Sequence, residues 1–327
     1  MTNPPTDPAL GLYRVLDEKG RVGDTAAPAL SDTVRLAMYR EMRRVRILDE
    51  RMLARQRQGK IGFFGTVTGQ EATPVATAFA TEARDWIFPA LREGAIMLTR
   101  GFPLTQWLAQ VYGNAGDVLK GRQMPSHMSG RSVNQVSWSS CIGPQIPQAV
   151  GAAWAAKLKG EDTVTVGFMG DGATSQPDFH CALNFAGVFK TPSVLICQNN
   201  HWSISVPTEK QTASETLAVK AHAYGLPGVR VDGNDVLALY AVIKAAVDRA
   251  RRGEGATFIE SVTYRIGPHS SSDDPTLYRS QNEVNAWKAK DPIARYVMYL
   301  RAEGLLNPLL EQSMDAEIDQ EISAALA

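Results

Sequence analysis

The sequence predicts an α/β fold in which a parallel β-sheet carries helices on both of its faces. Three observations lead to this prediction. Segments with helical hydrophobic spacing alternate with short runs rich in Val, Ile, Phe and Thr. These runs are almost continuously apolar, as in parallel strands that are buried on both faces. The chain has 327 residues, of which 44% are hydrophobic, so it can bury a sizeable core.

The N-terminal region differs in composition from the rest of the chain. Residues 1–30 are rich in Pro, Gly, Asp and Ala, and we expect an extended arm that is either mobile or laid over another surface. Ser31 and Asp32 then offer an N-cap to a long helix that runs to about Gln58 and is terminated by Gly59. We expect residues 31–327 to form a single domain that ends in a helical segment.

The remaining elements follow in alternation. Further helical patterns span 69–83, 103–112, 145–159, 174–189, 212–224, 235–252 and 281–302. Strand-like runs lie between them at 86–91, 163–169, 193–198, 228–233 and 257–265. The interval 113–144 has little periodicity and several Gly, Ser and Pro residues, which predicts a long functional loop.

Composition argues against several classes of function. Thirty-four basic and thirty-four acidic residues cancel, so no broad charge favours nucleic acid or an anionic membrane. Cys141, Cys181 and Cys197 are odd in number and lack CxxC spacing, which predicts reduced thiols in a cytosolic protein. The N-terminus does not resemble a signal peptide, and no apolar run approaches the length of a membrane span. We therefore expect a cytoplasmic protein that binds neither nucleic acid nor membrane.

Two polar motifs each follow a strand-like run. Gly170-Asp171-Gly172 comes directly after TVTVGFM, and Asn199-Asn200 comes directly after SVLICQ. If a helix joins the two strands in a right-handed crossover, both motifs emerge at the same edge of the sheet, where open α/β sheets bind ligands. One carboxylate and one amide oxygen form an incomplete oxygen set that suits Mg²⁺ completed by water and phosphate. The glycines and the following helix N-terminus suit a phosphate, so the motifs predict a magnesium-bridged diphosphate site.

Other interpretations of the two motifs are available. Gly-Asp-Gly alone is compatible with a turn, and Asn-Asn alone with a loop. Their order on one strand–helix–strand unit favours the functional interpretation. A dinucleotide fingerprint is excluded because GDGATS lacks the third glycine of GxGxxG.

The paired motifs resemble the thiamine diphosphate motif, a GDG followed at a fairly fixed interval by NN. From about residue 31 to 305 the chain also resembles the alpha subunit of the decarboxylating component of branched-chain 2-oxo acid dehydrogenase complexes. The stretches that carry this resemblance are GQEA (69–72), LREGAIML (91–98), KGRQMPSH (120–127), QIPQAVGAAWAAK (145–157), VDGNDV (231–236) and YRIGPHSSSDD (264–274). It implies the thiamine diphosphate-binding fold.

The resemblance implies a role for each matching polar residue. Asp171 and Asn200 would bind Mg²⁺ through side-chain oxygens, and Trp202 through its backbone carbonyl. Arg92 matches the diphosphate-binding arginine, where a guanidinium can donate two parallel charge-assisted bonds. A surface salt bridge is the alternative for Arg92.

Further positions would line the cofactor. Gly170, Gly172 and Ala173 would do so through their backbone. Ser140 and Ile142 match positions beside the central region of the cofactor, where a bulky aliphatic residue props the two rings into a bent shape.

Two histidines and a serine have weaker assignments. His269 matches the family histidine of a mobile loop near the diphosphate, where it can donate a bond or move protons near neutral pH. We therefore treat His269 as the catalytic candidate. Ser270 matches a serine that is phosphorylated in animal members, although a plain loop serine is the simpler interpretation. His127 either belongs to the site or only holds its loop.

The implied activity is thiamine diphosphate-dependent oxidative decarboxylation of a 2-oxo acid, with acyl transfer to lipoamide on an acyltransferase core. Branched-chain substrates are favoured, and a pyruvate or acetoin dehydrogenase alpha subunit is the alternative. Phe63, Phe64 and residues 133–142 are candidates to line the substrate pocket. In the family a glutamate on a separate beta subunit activates the cofactor, and this chain has no room for a second such domain. We therefore expect an α2β2 heterotetramer that is active only with its beta subunit.

Several residues depart from the family pattern. Leu91 replaces a tyrosine, and Pro144 replaces a threonine that helps bind potassium in animal members. Gln198 stands where an arginine often contacts the diphosphate, although other members carry acidic residues there. Cys141 replaces a proline, and His201 replaces a small residue. The chain also stops short of the usual C-terminal segment, so assembly is expected to differ. These departures motivate a second hypothesis, a degenerate non-catalytic subunit that stabilises a partner.

Overall fold

The computed structural model describes residues 10–327, and its central element is a five-stranded parallel β-sheet. In spatial order its strands are Trp86–Phe88 (β1), Thr165–Gly170 (β2), Ser193–Asn199 (β3), Thr257–Val262 (β7) and Gly228–Asp232 (β6). A short antiparallel hairpin, Trp202–Ser203 (β4) and Val206–Pro207 (β5), follows β3. The predicted α/β class with a parallel sheet is confirmed.

Within residues 10–327, α-helices precede, separate and follow the strands. They are Asp32–Arg57 (α1), Ala72–Ala80 (α2), Gly94–Thr99 (α3), Leu104–Tyr112 (α4), Gln145–Lys159 (α5), Pro177–Phe189 (α6), Val236–Arg251 (α7), Gln281–Lys288 (α8), Pro292–Ala302 (α9) and Pro308–Leu326 (α10). Short 3-10 helices span Arg131–Val133, Asp171–Ser175, Thr208–Lys210, Ala218–Tyr224 and Pro275–Leu277.

The two faces of the sheet belong to different parts of the core. Along β3, Val194 and Ile196 pack into the cluster that contains α2 and α7. Leu195 and Cys197 point the other way and pack into the cluster that contains α5 and α6. All seven residues of β3 are buried, which explains why residues 194–197 are apolar without alternation.

Several element boundaries differ from the predicted ones. The predicted strand 86–91 ends at Phe88, because Pro89 has no N–H to donate to a neighbouring strand. The predicted helix 281–302 is two helices, since Asp291 caps α9 by accepting bonds from the backbone N–H groups of Ile293 and Ala294. The predicted helix 212–224 is a 3-10 helix that begins only at Ala218. Helix α3 and the β4–β5 hairpin were not predicted.

The described part of the N-terminal arm lies along the edge strand β6. Tyr13 forms a parallel bridge with Val231, and the backbone N–H groups of Val15 and Leu16 donate to Asp235 Oδ2 at 2.7 and 2.6 Å. The same carboxylate caps helix α7 through Oδ1. Residues 1–9 of the predicted arm lie outside the described residues.

The C-terminal helix α10 packs against α1. Arg43 donates to both carboxylate oxygens of Asp315 at 2.9 and 2.5 Å. Ile318 and Ile322 of α10 are fully buried. Over residues 10–327, no helix has the length and apolarity that crossing a membrane would require.

Candidate active site

A cleft of about 400 Å³ opens beyond the carboxyl ends of β2 and β3, and its volume lies within the range of small-molecule sites. Its walls bring together all the residues that the sequence proposed for metal and cofactor. They are Arg92, Ser140, Ile142, Gly170, Asp171, Gly172, Ala173, Asn200, Trp202 and His269. The parallel pairing of β2 with β3 therefore places both polar motifs at one edge.

Asp171 begins the 3-10 helix after β2, and only 2% of its surface is exposed. Burial raises the pKa of its carboxyl, while hydrogen bonds from Gln211 and Thr208 oppose that shift. Gln211 Nε2 donates to Asp171 Oδ2 at 2.9 Å, and Thr208 Oγ1 donates to the same oxygen at 3.3 Å. A buried carboxylate at the wall of a cleft is stabilised by a bound cation, because the cation offsets its lost hydration.

The two asparagines after β3 have different surroundings. Asn199 donates from Nδ2 to Glu260 Oε1 at 2.8 Å and is part of the buried framework. Asn200 lines the cleft, accepts a bond at Oδ1 from the Trp202 N–H at 3.2 Å, and donates from Nδ2 to Gln70 Oε1 at 3.1 Å. Only the second asparagine of the pair therefore presents its side chain to a ligand.

The carbonyl of Trp202, the third proposed metal ligand, already accepts a hydrogen bond. Arg265 Nη1 donates to it at 3.2 Å, and Nη2 donates to the carbonyl of Ile204 at 2.7 Å. A carbonyl oxygen has two lone pairs, so one remains for a cation. Ile204 lies at the tip of the hairpin with φ +53°, which is a strained conformation for a β-branched residue.

Arg92 is almost fully buried and connects two loops at the cleft. Its Nη1 donates to the carbonyl of Thr66, and its Nη2 donates to the carbonyl of His269 at 3.0 Å. Burial and the charge of Arg265 lower the pKa of Arg92 to about 10, which leaves the guanidinium charged at neutral pH. Arg92 therefore offers a fixed positive charge at the wall of the cleft.

The loop that carries His269 is held by a chain of hydrogen bonds. The His269 N–H donates to Asp273 Oδ2 at 2.7 Å, and Tyr278 Oη donates to the same oxygen at 2.6 Å. Arg265 Nη2 donates to Tyr278 Oη at 2.7 Å. Burial, with the charges of Arg92 and Arg265, lowers the pKa of His269 to about 4. The imidazole at the cleft is thus neutral near pH 7.

His127 contributes indirectly to the cleft. Its ring stacks on Trp138 with centroids 3.8 Å apart, and Nδ1 lies 3.1 Å from the carbonyl of Pro125. Its Nε2 lies 2.6 Å from Ser140 Oγ, and Ser140 lines the cleft. The histidine therefore holds its loop and a cleft hydroxyl at the same time.

The departures from the family pattern have visible consequences. Leu91 is an apolar part of the wall. Gln198 donates from Nε2 to Glu93 Oε1, so its amide donor is engaged by a carboxyl whose pKa burial raises to about 7.

Of the residues predicted to line the substrate pocket, Phe63 and residues 138–142 line the cleft, whereas Phe64 packs in the core.

Gly172 has a packing role that the sequence did not reveal. A Cβ added there would stand 2.2 Å from Ser203 Oγ, so the glycine lets the hairpin approach the GDG turn. A Cβ added at Gly170 would meet no described atom within 4 Å. The two glycines of the motif are thus not equivalent.

Several residues at the site were missed as functional candidates. Gln70 and Arg265 lie in stretches quoted for the family resemblance, GQEA and YRIGPHSSSDD, but neither had a role. Thr208 and Gln211 lie after the unpredicted hairpin, where no periodic pattern gave a signal. Both residues meet Asp171 because the chain turns back onto it after the hairpin.

The fold and the cleft are those of an α/β protein with a ligand site at the carboxyl edge of its parallel sheet, and the family match assigns this fold to the thiamine diphosphate-binding class. The dehydrogenase E1 component family matches residues 39–327, and the chain belongs to this family. The family predicted from the sequence is thereby confirmed, and membership implies thiamine diphosphate as cofactor.

Named relatives cover most of the chain. The chain is 40% identical to 2-oxoisovalerate dehydrogenase subunit alpha 2, mitochondrial, of Arabidopsis thaliana, over 96% of this chain and 67% of the relative. It is 47% identical to the 3-methyl-2-oxobutanoate dehydrogenase subunit alpha of Mycobacterium tuberculosis, over 85% and 74%. It is 41% identical to the pyruvate dehydrogenase E1 component subunit alpha of Staphylococcus aureus, over 96% and 83%.

Proposed function

We propose that the chain is the alpha subunit of a 2-oxo acid dehydrogenase that decarboxylates a branched-chain substrate and transfers the acyl group to lipoamide. One observation carries the proposal. Asp171, Asn200 and Arg92 meet in a single cleft at the carboxyl edge of the sheet, in a chain of the dehydrogenase E1 component family. Relatives named for branched-chain substrates support the same activity.

The donor set of the cleft fits the cofactor and its metal. Asp171 and Asn200, with the carbonyl of Trp202, would hold Mg²⁺, which favours oxygen ligands of this kind. Asp171 provides the only carboxylate of this proposed ligand set. Within residues 10–327, no group of three or more His, Cys, Asp or Glu is placed to hold a metal ion. Water and diphosphate oxygens would complete the shell. Arg92 and the backbone of residues 170–173 would bind the diphosphate.

The residues of this chain bind, orient and shield rather than carry the central chemistry. Bound thiamine diphosphate supplies the electron sink for loss of carbon dioxide. Arg92 holds negative charge in place, since its guanidinium is fixed by two carbonyl partners. The neutral imidazole of His269 can accept a proton at a ring nitrogen or donate one from its N–H.

The wall of the cleft supports a branched-chain substrate over pyruvate. Phe63, Leu91, Trp138 and Ile142 provide apolar surface, and each buried methylene of a substrate is worth about 1–3 kcal/mol in discrimination. The pyruvate dehydrogenase relative supports pyruvate as the alternative, with acetoin as a further one. The second wall of the pocket belongs to the partner subunit in this proposal.

The composition of the cleft also supports a beta subunit. Among the described residues that line it, Glu93 is the only glutamate. Its Oε2 accepts bonds from the backbone N–H groups of Ala90 and Arg92, and its Oε1 accepts one from Gln198. It is thus committed to the framework, and the glutamate that activates the cofactor would come from another chain. An α2β2 heterotetramer in the cytoplasm, docked to a lipoyl-bearing acyltransferase, completes the proposal.

Calorimetry tests the proposal directly. Thiamine diphosphate is titrated, with Mg²⁺ and with chelator, into this chain co-expressed with the product of the neighbouring gene. We expect binding that requires Mg²⁺ and that Asp171→Ala abolishes, with the fold retained. Asp162→Ala is the matched control, because Asp162 lies before β2 at the opposite end of the strand.

The outcomes separate the two hypotheses. Magnesium-dependent binding leads to a screen of 2-oxo acids with a dye acceptor. A well-folded complex that gives no heat supports the degenerate subunit instead. Equal binding by wild type and Asp171→Ala contradicts the metal assignment.

A further inference from the structure

Each of the two side chains assigned to the metal is held by a glutamine. Gln211 donates from Nε2 to Asp171 Oδ2 at 2.9 Å, and Gln70 accepts at Oε1 from Asn200 Nδ2 at 3.1 Å. In both pairs the glutamine engages one end of the carboxylate or amide group. The other end is then left for a ligand in the cleft: Oδ1 of Asp171, and the lone pair of Asn200 Oδ1 that does not accept the Trp202 N–H.

The orientation of Asp171 depends on the segment after the hairpin. Both side-chain hydrogen bonds to its carboxylate fall on Oδ2, from Gln211 and Thr208. The amide of Gln211 is itself fixed, because Nε2 also donates to the carbonyl of Val206 at 3.2 Å. Its backbone N–H donates to the carbonyl of Thr208 at 2.9 Å, within the 3-10 turn. The carboxylate is thus braced from one side only.

The orientation of Asn200 follows from two neighbours. The Trp202 N–H donates at 3.2 Å, which identifies the atom that it meets as Oδ1 rather than Nδ2. Nδ2 therefore faces Gln70, which must present its oxygen. Gln70 is fully buried, and its Nε2 has no hydrogen-bond partner within residues 10–327. The hydrogen bond that the Gln70 side chain makes is thus the one that its Oε1 accepts from Asn200 Nδ2.

We propose that Gln211 and Gln70 are positioning residues of the metal site, which orient Asp171 and Asn200 so that one oxygen of each meets a divalent cation. The inference rests on the proposed function, because it requires the metal at this cleft. Residues that hydrogen-bond to metal ligands fix their orientation, and their loss typically reduces metal affinity about 10- to 100-fold. The two glutamines act with opposite polarity: Gln211 must donate and Gln70 must accept.

This opposite polarity gives a sharp test. Each glutamine is replaced by Met, which has similar length and no amide, and by Glu, which has the same shape and can only accept when ionised. Mg²⁺ is titrated at saturating thiamine diphosphate into the complex of this chain with its beta partner, and Mg²⁺ affinity is measured by calorimetry.

We expect Gln211→Met and Gln211→Glu each to weaken Mg²⁺ binding about 10- to 100-fold, since both remove the donor to Asp171. Gln70→Met is expected to weaken it similarly. Gln70→Glu keeps an oxygen for Asn200 Nδ2 and is expected to stay within about threefold of wild type. A purely structural role would not produce this difference between the two positions.

Gln281→Met on the exposed surface of α8 is the matched control and should bind Mg²⁺ as wild type does. Thermal unfolding establishes that each variant is folded, and the Gln211 pair decides the question alone if Gln70→Met does not fold. Unchanged Mg²⁺ affinity in folded Gln211 variants would overturn the inference, as would equal damage from Met and Glu at position 70. Cofactor binding by wild type without Mg²⁺ would instead overturn the proposed metal site.

Discussion

Alanine in place of Gly172 is expected to disturb both stability and the proposed metal site through the hairpin that follows β3. The new Cβ would stand 2.2 Å from Ser203 Oγ and 2.8 Å from Ser203 Cβ. Rotation of the serine hydroxyl can relieve the first contact, but the second does not depend on the rotamer. The backbone of the hairpin must therefore move. Forcing an extra methyl group into a packed contact costs about 1–3 kcal/mol of unfolding free energy.

The displacement also reaches the carboxylate of the neighbouring residue. The added Cβ would lie 3.2 Å from Gln211 Oε1, on the side chain that donates to Asp171. We therefore expect Gly172→Ala to weaken Mg²⁺ binding about tenfold, which corresponds to about 1.4 kcal/mol.

Urea unfolding and magnesium titration measure the two effects in the same preparations. Gly170→Ala is the stability control, because a Cβ there meets no described atom within 4 Å. Ser203→Gly removes both clashing atoms, so the double variant should recover at least half of the lost stability, as contacting pairs couple by about 0.5–3 kcal/mol. An unchanged urea midpoint for Gly172→Ala, or no recovery in the double variant, would refute this reasoning.

Three further predictions concern protonation, core packing and the arm. The pKa of His269 should be about 4 rather than 6.5. The stability that its neutral form contributes is therefore complete above pH 6.5 and declines as the pH falls towards 4. A titration midpoint at or above 6.5 in NMR would contradict this prediction. Ile318→Ala should cost about 2–5 kcal/mol in urea unfolding, whereas exposed Leu309→Ala should change it by less than about 0.5 kcal/mol. Asp235→Ala should speed hydrogen exchange at the amides of residues 15 and 16, and Asp235→Asn, which keeps an acceptor, should do so less.

The convergence of the two polar motifs could be predicted because it depends on local rules. Each motif follows a run that is largely apolar and lacks strict alternation, and such runs are typical of buried parallel strands. Once two consecutive strands are parallel, their carboxyl ends meet at one edge whatever the rest of the fold does. The positions of Asp171 and Asn200 therefore followed from sequence alone.

The break between α8 and α9 was also signalled, although the periodic pattern concealed it. Asp291 followed by Pro292 is a typical N-cap with proline in the first turn. Buried apolar residues occur on both sides of the break, because Val284 of α8 and Ile293 of α9 are both buried, although they pack into different clusters. A stretch that keeps placing apolar residues among polar ones does not by itself distinguish one helix from two.

The atoms that orient the proposed metal ligands could not be predicted. Gln211 lies 40 residues from Asp171 in the chain, and the two meet only because the hairpin turns the segment back onto the GDG turn. Ile204, at the strained tip of the hairpin, is β-branched, and residues of this type favour an extended strand. Tertiary contacts that override local preference leave no periodic signal.

The charges of the cleft explain why metal and diphosphate must bind together in the proposed function. Arg92 is the guanidinium held at the wall, while Arg265 donates to two backbone carbonyls and to Tyr278. His269 is neutral near pH 7, and Gln198 adds no charge. A diphosphate therefore needs a divalent cation to offset its charge, and Asp171 needs that cation to offset its burial. Because binding linkage is reciprocal, whatever factor Mg²⁺ contributes to cofactor affinity is the factor that the cofactor contributes to Mg²⁺ affinity.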